Sequence, residues 1–359
     1  MTSIDLGAAP AFEGIRQRRR WRIVLALGCF AGLATLLAVG VGPLDTVALD
    51  IIGWALHVPL GEPLTELQQS VIVDIRLPRV VMALLAGIGL AISGCLMQSL
   101  FRNPLADPGL IGVSSGAALA AAVTIVLAEH LPIWFLHLGP FALPVAAAIG
   151  SLLATLAILR LADLAGGETT LVLLLAGIGI GVLAEVGVGF LIFISNEQEL
   201  RDLTFWRMGS LAGNGWAQAA IVAIPVAVIV LFAWRIATAL NALSLGDDVA
   251  GHLGIDVVHL QRGIVITVAA AIGAIVAFSG MIGFLGLVAP HLARLLVGQD
   301  HRWLVPASAL IGCVIMTFGD LVTRIAVAPA ELPIGLVTGA LGCPVFLFLL
   351  VRQMRYGTT

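Results

Sequence analysis

The residues best suited to metal or acid–base chemistry lie in one polar stretch, LSLGDDVAGHLGID, which runs from residue 243 to 256. Its Asp247, Asp248, His252 and Asp256 stand close to helical spacing, and carboxylates beside a histidine can bind a metal ion or transfer protons. Long apolar runs flank the stretch on both sides. What these groups can do therefore depends on where the flanking elements place them.

A second carboxylate, Glu185, stands inside the apolar segment GVLAEVGVG. An ionisable side chain in the middle of a bilayer costs ~2.5 kcal/mol or more unless it is paired or faces water. Two interpretations stay open. Glu185 either lines a transport pathway or carries protons, or it is a structural carboxyl that is hydrogen-bonded to a neighbouring helix.

The composition indicates that these groups belong to a membrane protein. The 359 residues are 60% hydrophobic and 11% charged, whereas soluble domains carry about 25% charged residues. We predict an all-α polytopic membrane protein in which residues 23–351 form one ten-helix domain between tails at 1–22 and 352–359. The predicted spans are 23–41, 80–101, 108–128, 140–162, 170–194, 216–235, 260–279, 281–297, 303–323 and 333–351.

The arginines predict the orientation. With the N-terminus inside, thirteen of the 18 arginines lie on the inner side, as the positive-inside rule requires. Both termini and the loop 240–256 are then cytoplasmic. Arg76, Arg79 and Arg324 run against the bias on the outer side. They either snorkel at the interface or form sockets for carboxylates of an external protein.

The chain contains no lysine, and this excludes a P-loop, whose lysine reaches the β- and γ-phosphates. ATP and Mg²⁺ would therefore have to be bound by another polypeptide. We find no catalytic triad and no nucleotide fingerprint, and the four cysteines lack metal-ligand spacing. The sequence therefore predicts a protein that is not an enzyme and that has no metal, no cofactor and no nucleic-acid partner.

Two cytoplasmic breaks interrupt the predicted spans. FRNPLADPG uses two prolines to end one helix and begin the next. In AGGETT, Thr169 or Thr170 is placed to cap the following helix. Each break has two interpretations: it is an ordinary turn, or it lies at the rim of a transport pathway and acts as a gate.

Several motifs resemble one family of membrane proteins from about residue 70 onward. They are IRLPRVVMALLAGIGLAISGCLMQSLFRNPLADPGLIGVSSGAALA, LVLLLAGIGIG, FWRMGSL, LGDDVAGHLGI, GMIGFLGLVAPHLAR and ELPIGLVTGALGCPVF. They are similar to permease subunits of type II ATP-binding-cassette (ABC) importers for iron siderophores, haem and vitamin B12 (FecCD-like). This resemblance implies a ten-helix subunit in a homodimer, two cytoplasmic ATPase subunits and a periplasmic binding protein.

The resemblance also implies roles for individual residues. Arg76, Arg79 and Arg324 match arginines that pair with glutamates of the binding protein. Two segments match the cytoplasmic gate of the family. The first contains Asn103, Pro104 and Leu105, and the second contains Thr169 and Thr170. The residues that match the coupling to the ATPase are Leu243, Leu245, Gly246, Asp248, Val249, Ala250, Gly251, Leu253 and Gly254.

The physical logic of the coupling segment is that Leu245, Val249 and Leu253, four residues apart, share one apolar face that fits a partner's groove. The expected function is import of an iron chelate. Haem is favoured, and a ferric siderophore or vitamin B12 is the alternative. A proton-coupled secondary transporter that uses Glu185 is the alternative class, because the family pattern does not lead us to expect that residue.

Overall fold

The computed structural model describes residues 9–42, 50, 53–54, 58, 63–165 and 170–356. Throughout this described part the regular elements are helices, which confirms the predicted all-α class. Apart from single turns, we label them α1 Ala9–Gly40, α2 Glu66–Leu100, α3 Val113–Val126, α4 Ala142–Leu164, α5 Thr170–Ile194, α6 Glu197–Met208, α7 Trp216–Leu243, α8 Asp247–His252, α9 Val257–Ser279, α10 Leu285–Val297, α11 His301–Ile325 and α12 Ile334–Tyr356.

Ten of the described helices correspond to the ten predicted spans. Seven of them, α1, α2, α4, α5, α7, α9 and α11, are long and apolar enough to cross a membrane, and α3, α10 and α12 are shorter apolar helices. The 14 residues of α3 reach about 21 Å at 1.5 Å per residue, less than the ~30 Å hydrocarbon core. Other backbone must therefore complete that crossing.

The observed helices extend several predicted bounds. The first begins at Ala9, so the described part of the predicted N-terminal tail is helical and continuous with the first span. The second begins at Glu66 and contains a π-helical segment at Val71–Arg76. Helix α7 continues to Leu243, inside the predicted loop 240–256. Polar residues at helix ends explain these differences, because hydropathy alone does not mark where a helix stops.

Helix α2 is the centre of the bundle and packs most extensively against α11. In its most apolar window 78% of the residues are buried, against 22% in α5. The high burial of α2 depends on direct contact between helix backbones. Gly87 lies so close to α11 that an added Cβ would be 2.5 Å from the carbonyl oxygen of Gly312. Gly94 meets Gly286 of α10 in the same way. Small residues at such crossings let membrane helices approach closely.

The predicted break after Ser279 is confirmed, but α10 begins at Leu285 rather than 281. The intervening backbone is not orphaned. The Ser279 carbonyl accepts a hydrogen bond from Ser210 N at 2.7 Å, and the Gly209 carbonyl accepts one from Ile334 N at 3.0 Å. Three chain breaks thus satisfy one another, as non-helical backbone at membrane depth requires.

Candidate functional site

The predicted coupling segment forms the short helix α8 between α7 and α9. Gly246 has φ 119° and Gly254 has φ 83°, a region that glycine enters without a Cβ penalty. The two glycines therefore set the turns at either end of α8, as the sequence predicts. We call the end of the bundle that carries α8 the α8 face, and the other end the opposite face.

The α8 segment has an exposed apolar side and a buried root. Leu245, Val249 and Leu253 are 67%, 41% and 63% exposed, whereas Leu243 and Ala250 are fully buried. The first three can meet a partner. The family resemblance grouped the other two with them, but Leu243, the last residue of α7, and Ala250 are covered by the protein itself and cannot touch a partner in this structure.

The carboxylates of the same stretch do not form a metal site. Within the described residues, no group of three or more His, Cys, Asp or Glu side chains could hold a metal ion. Asp256 instead caps α9: it accepts hydrogen bonds from His259 N at 3.1 Å and Nδ1 at 2.7 Å. These hydrogen bonds, the backbone one first, lower the pKa of Asp256. Asp248 and His252 are exposed.

The first predicted gate segment follows a capped end of α2. Arg102 N donates to the Ser99 carbonyl at 3.2 Å and Asn103 N to the Gln98 carbonyl at 3.1 Å, the pattern of a Schellman motif. Arg102 occupies the left-handed position, with φ 50°, where glycine is usual. Such a conformation costs a non-glycine residue ~1–3 kcal/mol.

The two predicted gate segments meet at one cavity on the α8 face. Asn103 Oδ1 accepts a hydrogen bond from Leu105 N at 3.0 Å and fixes the turn around Pro104. Thr170 begins α5, and Thr169 lies outside the described residues. The cavity has a volume of about 420 Å³, and its lining residues are Phe101, Arg102, Asn103, Ala106, Thr170, Leu171, Leu174 and Asp247.

On the opposite face, Arg79 is a buried centre of charge. Its Nε donates to Asp320 Oδ1 at 2.8 Å, and its Nη1 donates to Glu331 Oε1 and Oε2 at 2.8 and 3.0 Å. The Arg79 and Asp320 side chains are 8% and 1% exposed, whereas Glu331 is 41% exposed. Arg79 therefore already holds one buried and one surface carboxylate of its own chain.

Arg76 and Arg324 cap the end of α1. Arg76 Nη1 donates to the Val39 and Gly40 carbonyls, both at 3.2 Å. Arg324 Nη2 donates to the Ala38 carbonyl at 2.7 Å. The last four carbonyls of a helix lack helical partners, and cations near them are favoured. In this structure both guanidinium groups bind backbone carbonyls, and each arginine is at most 5% exposed.

Glu185 has a partner that sequence reasoning missed. Arg207 Nη2 donates to its Oε1 and Oε2 at 3.3 and 3.1 Å. Arg207 lies in the last turn of α6, which returns from the loop after α5, so this arginine is not a free outer-loop charge. The missed signal is the capping box at Asn196 and Glu199 that starts α6. Glu185 lies on the poorly buried face of α5, beside Val182.

Comparison with known proteins decides the family. A model of the FecCD transport family matches residues 27–352. The chain belongs to this family.

FecCD relatives resemble the chain over most of its length. It is 46% identical over 283 residues to the hemin transport system permease protein HmuU of Yersinia pestis. That alignment covers 78% of this chain and 83% of HmuU. It is 38% identical over 345 residues to the vitamin B12 import system permease protein BtuC of Salmonella newport, covering 96% and 99%. A metal-chelate type ABC transporter in an inward-facing conformation aligns with a TM-score of 0.80 and 29% identity, over 92% of this chain and 99% of that one.

These findings confirm the predicted permease fold and a multi-pass membrane protein of the ABC importer type. FecCD proteins are transport subunits, so the prediction that this chain is not an enzyme is also confirmed. The alternative of a proton-coupled secondary transporter is not supported, because the family is one of ABC permeases.

Proposed function

We propose that this FecCD permease carries haem across the bacterial inner membrane. The observation that carries the proposal is the 46% identity to the hemin permease of Yersinia pestis. A corrinoid is the second candidate cargo, because the vitamin B12 permease matches nearly the whole chain at 38% identity. The third is a ferric siderophore.

The test is uptake by proteoliposomes that contain the permease with its ATPase and binding protein. We expect ATP-dependent uptake of haem that excess haem competes away and that excess vitamin B12 leaves unchanged. Uptake of vitamin B12 or of a ferric siderophore, with haem excluded, would assign the cargo otherwise. Matched liposomes loaded with a non-hydrolysable ATP analogue are the control.

The ATPase subunits are proposed to dock on α8. Leu245, Val249 and Leu253 support this proposal, because three neighbouring apolar side chains exposed outside the bilayer are typical of a contact surface. A helix that inserts an apolar face into a groove is a common recognition mode. The missing P-loop requires that ATP is bound elsewhere. In this arrangement α8 and both termini are cytoplasmic, and two copies of the permease pair.

A periplasmic binding protein is proposed to dock on the opposite face, near Arg79. Glu331 supports this position, because it is an exposed carboxylate held bidentately by that arginine. A glutamate of the partner would take its place. Glu331→Ala should therefore raise the ATPase stimulation at sub-saturating binding protein, and Glu129→Ala, in another loop, is the control. Equal stimulation in both variants would contradict docking at Arg79.

A further inference from the structure

Two polar contacts tie the α8 segment to both predicted gate segments. Arg102 Nη2, just after α2, donates to Asp247 Oδ2 in the first turn of α8 at 3.3 Å. Gln261 Nε2, in the second turn of α9, donates to Thr170 Oγ1 at the start of α5 at 3.4 Å. Asp247 lies in α8 itself, and Gln261 lies in α9, the helix that follows it. A displacement of α8 therefore reaches loop 101–107 directly, and it reaches the start of α5 when α9 moves with α8.

The backbone of Arg102 is unusual for a residue that carries a side chain. A residue with φ 50° at the end of a helix is usually glycine, and here an arginine keeps that strained conformation. Its guanidinium reaches over Gly246, where an added Cβ would lie 3.6 Å from Nη1. The strain thus places the guanidinium against the first turn of α8.

The strength of the contact suits a movable link. Arg102 and Asp247 are 41% and 39% exposed and meet at one nitrogen–oxygen pair, and an ion pair of this kind is weak in water. Gln261 is 1% exposed, and its Oε1 has no hydrogen-bond partner within the described residues. A buried acceptor without a partner is costly, so the Gln261 amide is only half satisfied in this arrangement.

We propose that Arg102 is a positioning residue for transport, which links α8 to the gate loop through Asp247, with Gln261 and Thr170 as the companion link. This inference rests on the proposed function. When the ATPase moves α8, the ion pair moves loop 101–107 with it, and the pair differs between the open and closed states. A difference in contacts between states is what couples two sites.

The test uses the full complex in proteoliposomes, with haem delivered by the binding protein, and measures haem transported per ATP hydrolysed. Arg102→Gly removes the side chain and relaxes the backbone, so the variant should fold. We expect the transport ratio to fall about two- to fivefold, as loss of an exposed ion pair allows, with ATPase activity retained. Exchanging the charges, Arg102→Asp with Asp247→Arg, should restore most of the ratio. Gln261→Leu should lower it without rescue by the exchange.

Arg20→Ala is the matched control, because Arg20 and Asp300 form an ion pair of the same 3.3 Å length on the α8 face, away from the gate cavity. An unchanged ratio in Arg102→Gly, or equal losses in Arg102→Gly and Arg20→Ala, would overturn the link while leaving the proposed function intact. Absence of ATP-driven uptake by the unsubstituted complex would instead overturn the proposed function.

Discussion

At the opposite face, Arg79 and Asp320 are almost completely buried and Arg79 binds two carboxylates, whereas at the α8 face Arg102 and Asp247 are about 40% exposed and share one contact. Both regions carry charge where the chain leaves the bilayer, and sequence alone makes them look alike. The difference lies in burial and in the number of partners. A buried ion that loses its partner is strongly destabilising, whereas an exposed pair contributes ~0–1 kcal/mol.

Burial and the number of partners indicate which ion pairs can break and re-form when the protein changes conformation. The buried contacts of Arg76, Arg79 and Arg324 fix α1, α2 and α11 to one another and have no inexpensive second arrangement, whereas the exposed Glu331 can be exchanged for another carboxylate. The Arg102–Asp247 pair can break and re-form at little cost, because both side chains are about 40% exposed and share one contact. We therefore expect substitutions at the opposite face to change stability, and substitutions at the α8 face to change coupling.

Arg79→Ala should have the largest effect. It leaves Asp320 buried with only the longer 3.2 Å contact to Arg324, and breaking such a pair costs about 3 kcal/mol or more. Thermal unfolding of the purified permease in detergent measures the loss. Arg262→Ala is the control, since its pair with Asp163 at the α8 face is 43% and 44% exposed and should cost ~1 kcal/mol or less. Equal losses would remove the proposed distinction between buried and exposed pairs.

Arg324→Ala should come next. It removes the hydrogen bond to the Ala38 carbonyl at 2.7 Å and a contact with Asp320, while Arg79 still neutralises that carboxylate. We expect a loss of roughly 1–3 kcal/mol, typical of a buried acceptor left unpaired, and faster hydrogen exchange at the end of α1. Arg324→Gln keeps an amide donor and should lose less. If amides at the end of α1 exchange at the same rate in Arg324→Ala as in the unsubstituted protein, the capping role is contradicted.

The fold was predictable to a greater extent than the pairs. Within the described residues an apolar helix lies at each of the ten predicted positions, and the glycines at 246, 254 and 280 lie at turns, because both signals are local. Arg79 and Asp320 are 241 residues apart in sequence, and Arg102 and Asp247 are 145 apart. No local pattern indicates that such residues will meet. The pairing depends on how α2 packs against α11 and α8.

The coupling segment shows what local spacing can and cannot indicate. Spacing separated Leu245, Val249 and Leu253 as one apolar face, and these three side chains are exposed. The family resemblance added Ala250 to the coupling residues, and the bundle buries it. The local pattern therefore indicated the exposed face, whereas a match to a motif did not separate contact residues from buried ones. Glu185 and Arg207 were closer to prediction, since the capping box at Asn196 predicts the helix that brings them together.

Arg102→Gly should have a small effect on stability, and of the opposite sign. The substitution loses an exposed ion pair worth ~0.2–1 kcal/mol but relieves a left-handed backbone that costs a non-glycine residue ~1–2 kcal/mol. We expect thermal stability that is unchanged or higher by up to about 2 kcal/mol. Arg102→Ala loses the pair and keeps the strain, so it should be less stable than Arg102→Gly. The reverse order would show that the backbone at residue 102 is not strained.

Leu253→Ala should have the smallest effect on stability, within about 0.5 kcal/mol, because the side chain is 63% exposed. It should nevertheless weaken binding of the ATPase, measured by co-purification and by ATPase stimulation. The buried neighbour gives the converse: Ala250→Leu overfills a closed site and should cost ~1–3 kcal/mol. If Leu253→Ala binds the ATPase normally while Ala250→Leu unfolds, then α8 is held by the bundle but is not the docking surface. The partner's contact would then have to lie elsewhere on the α8 face.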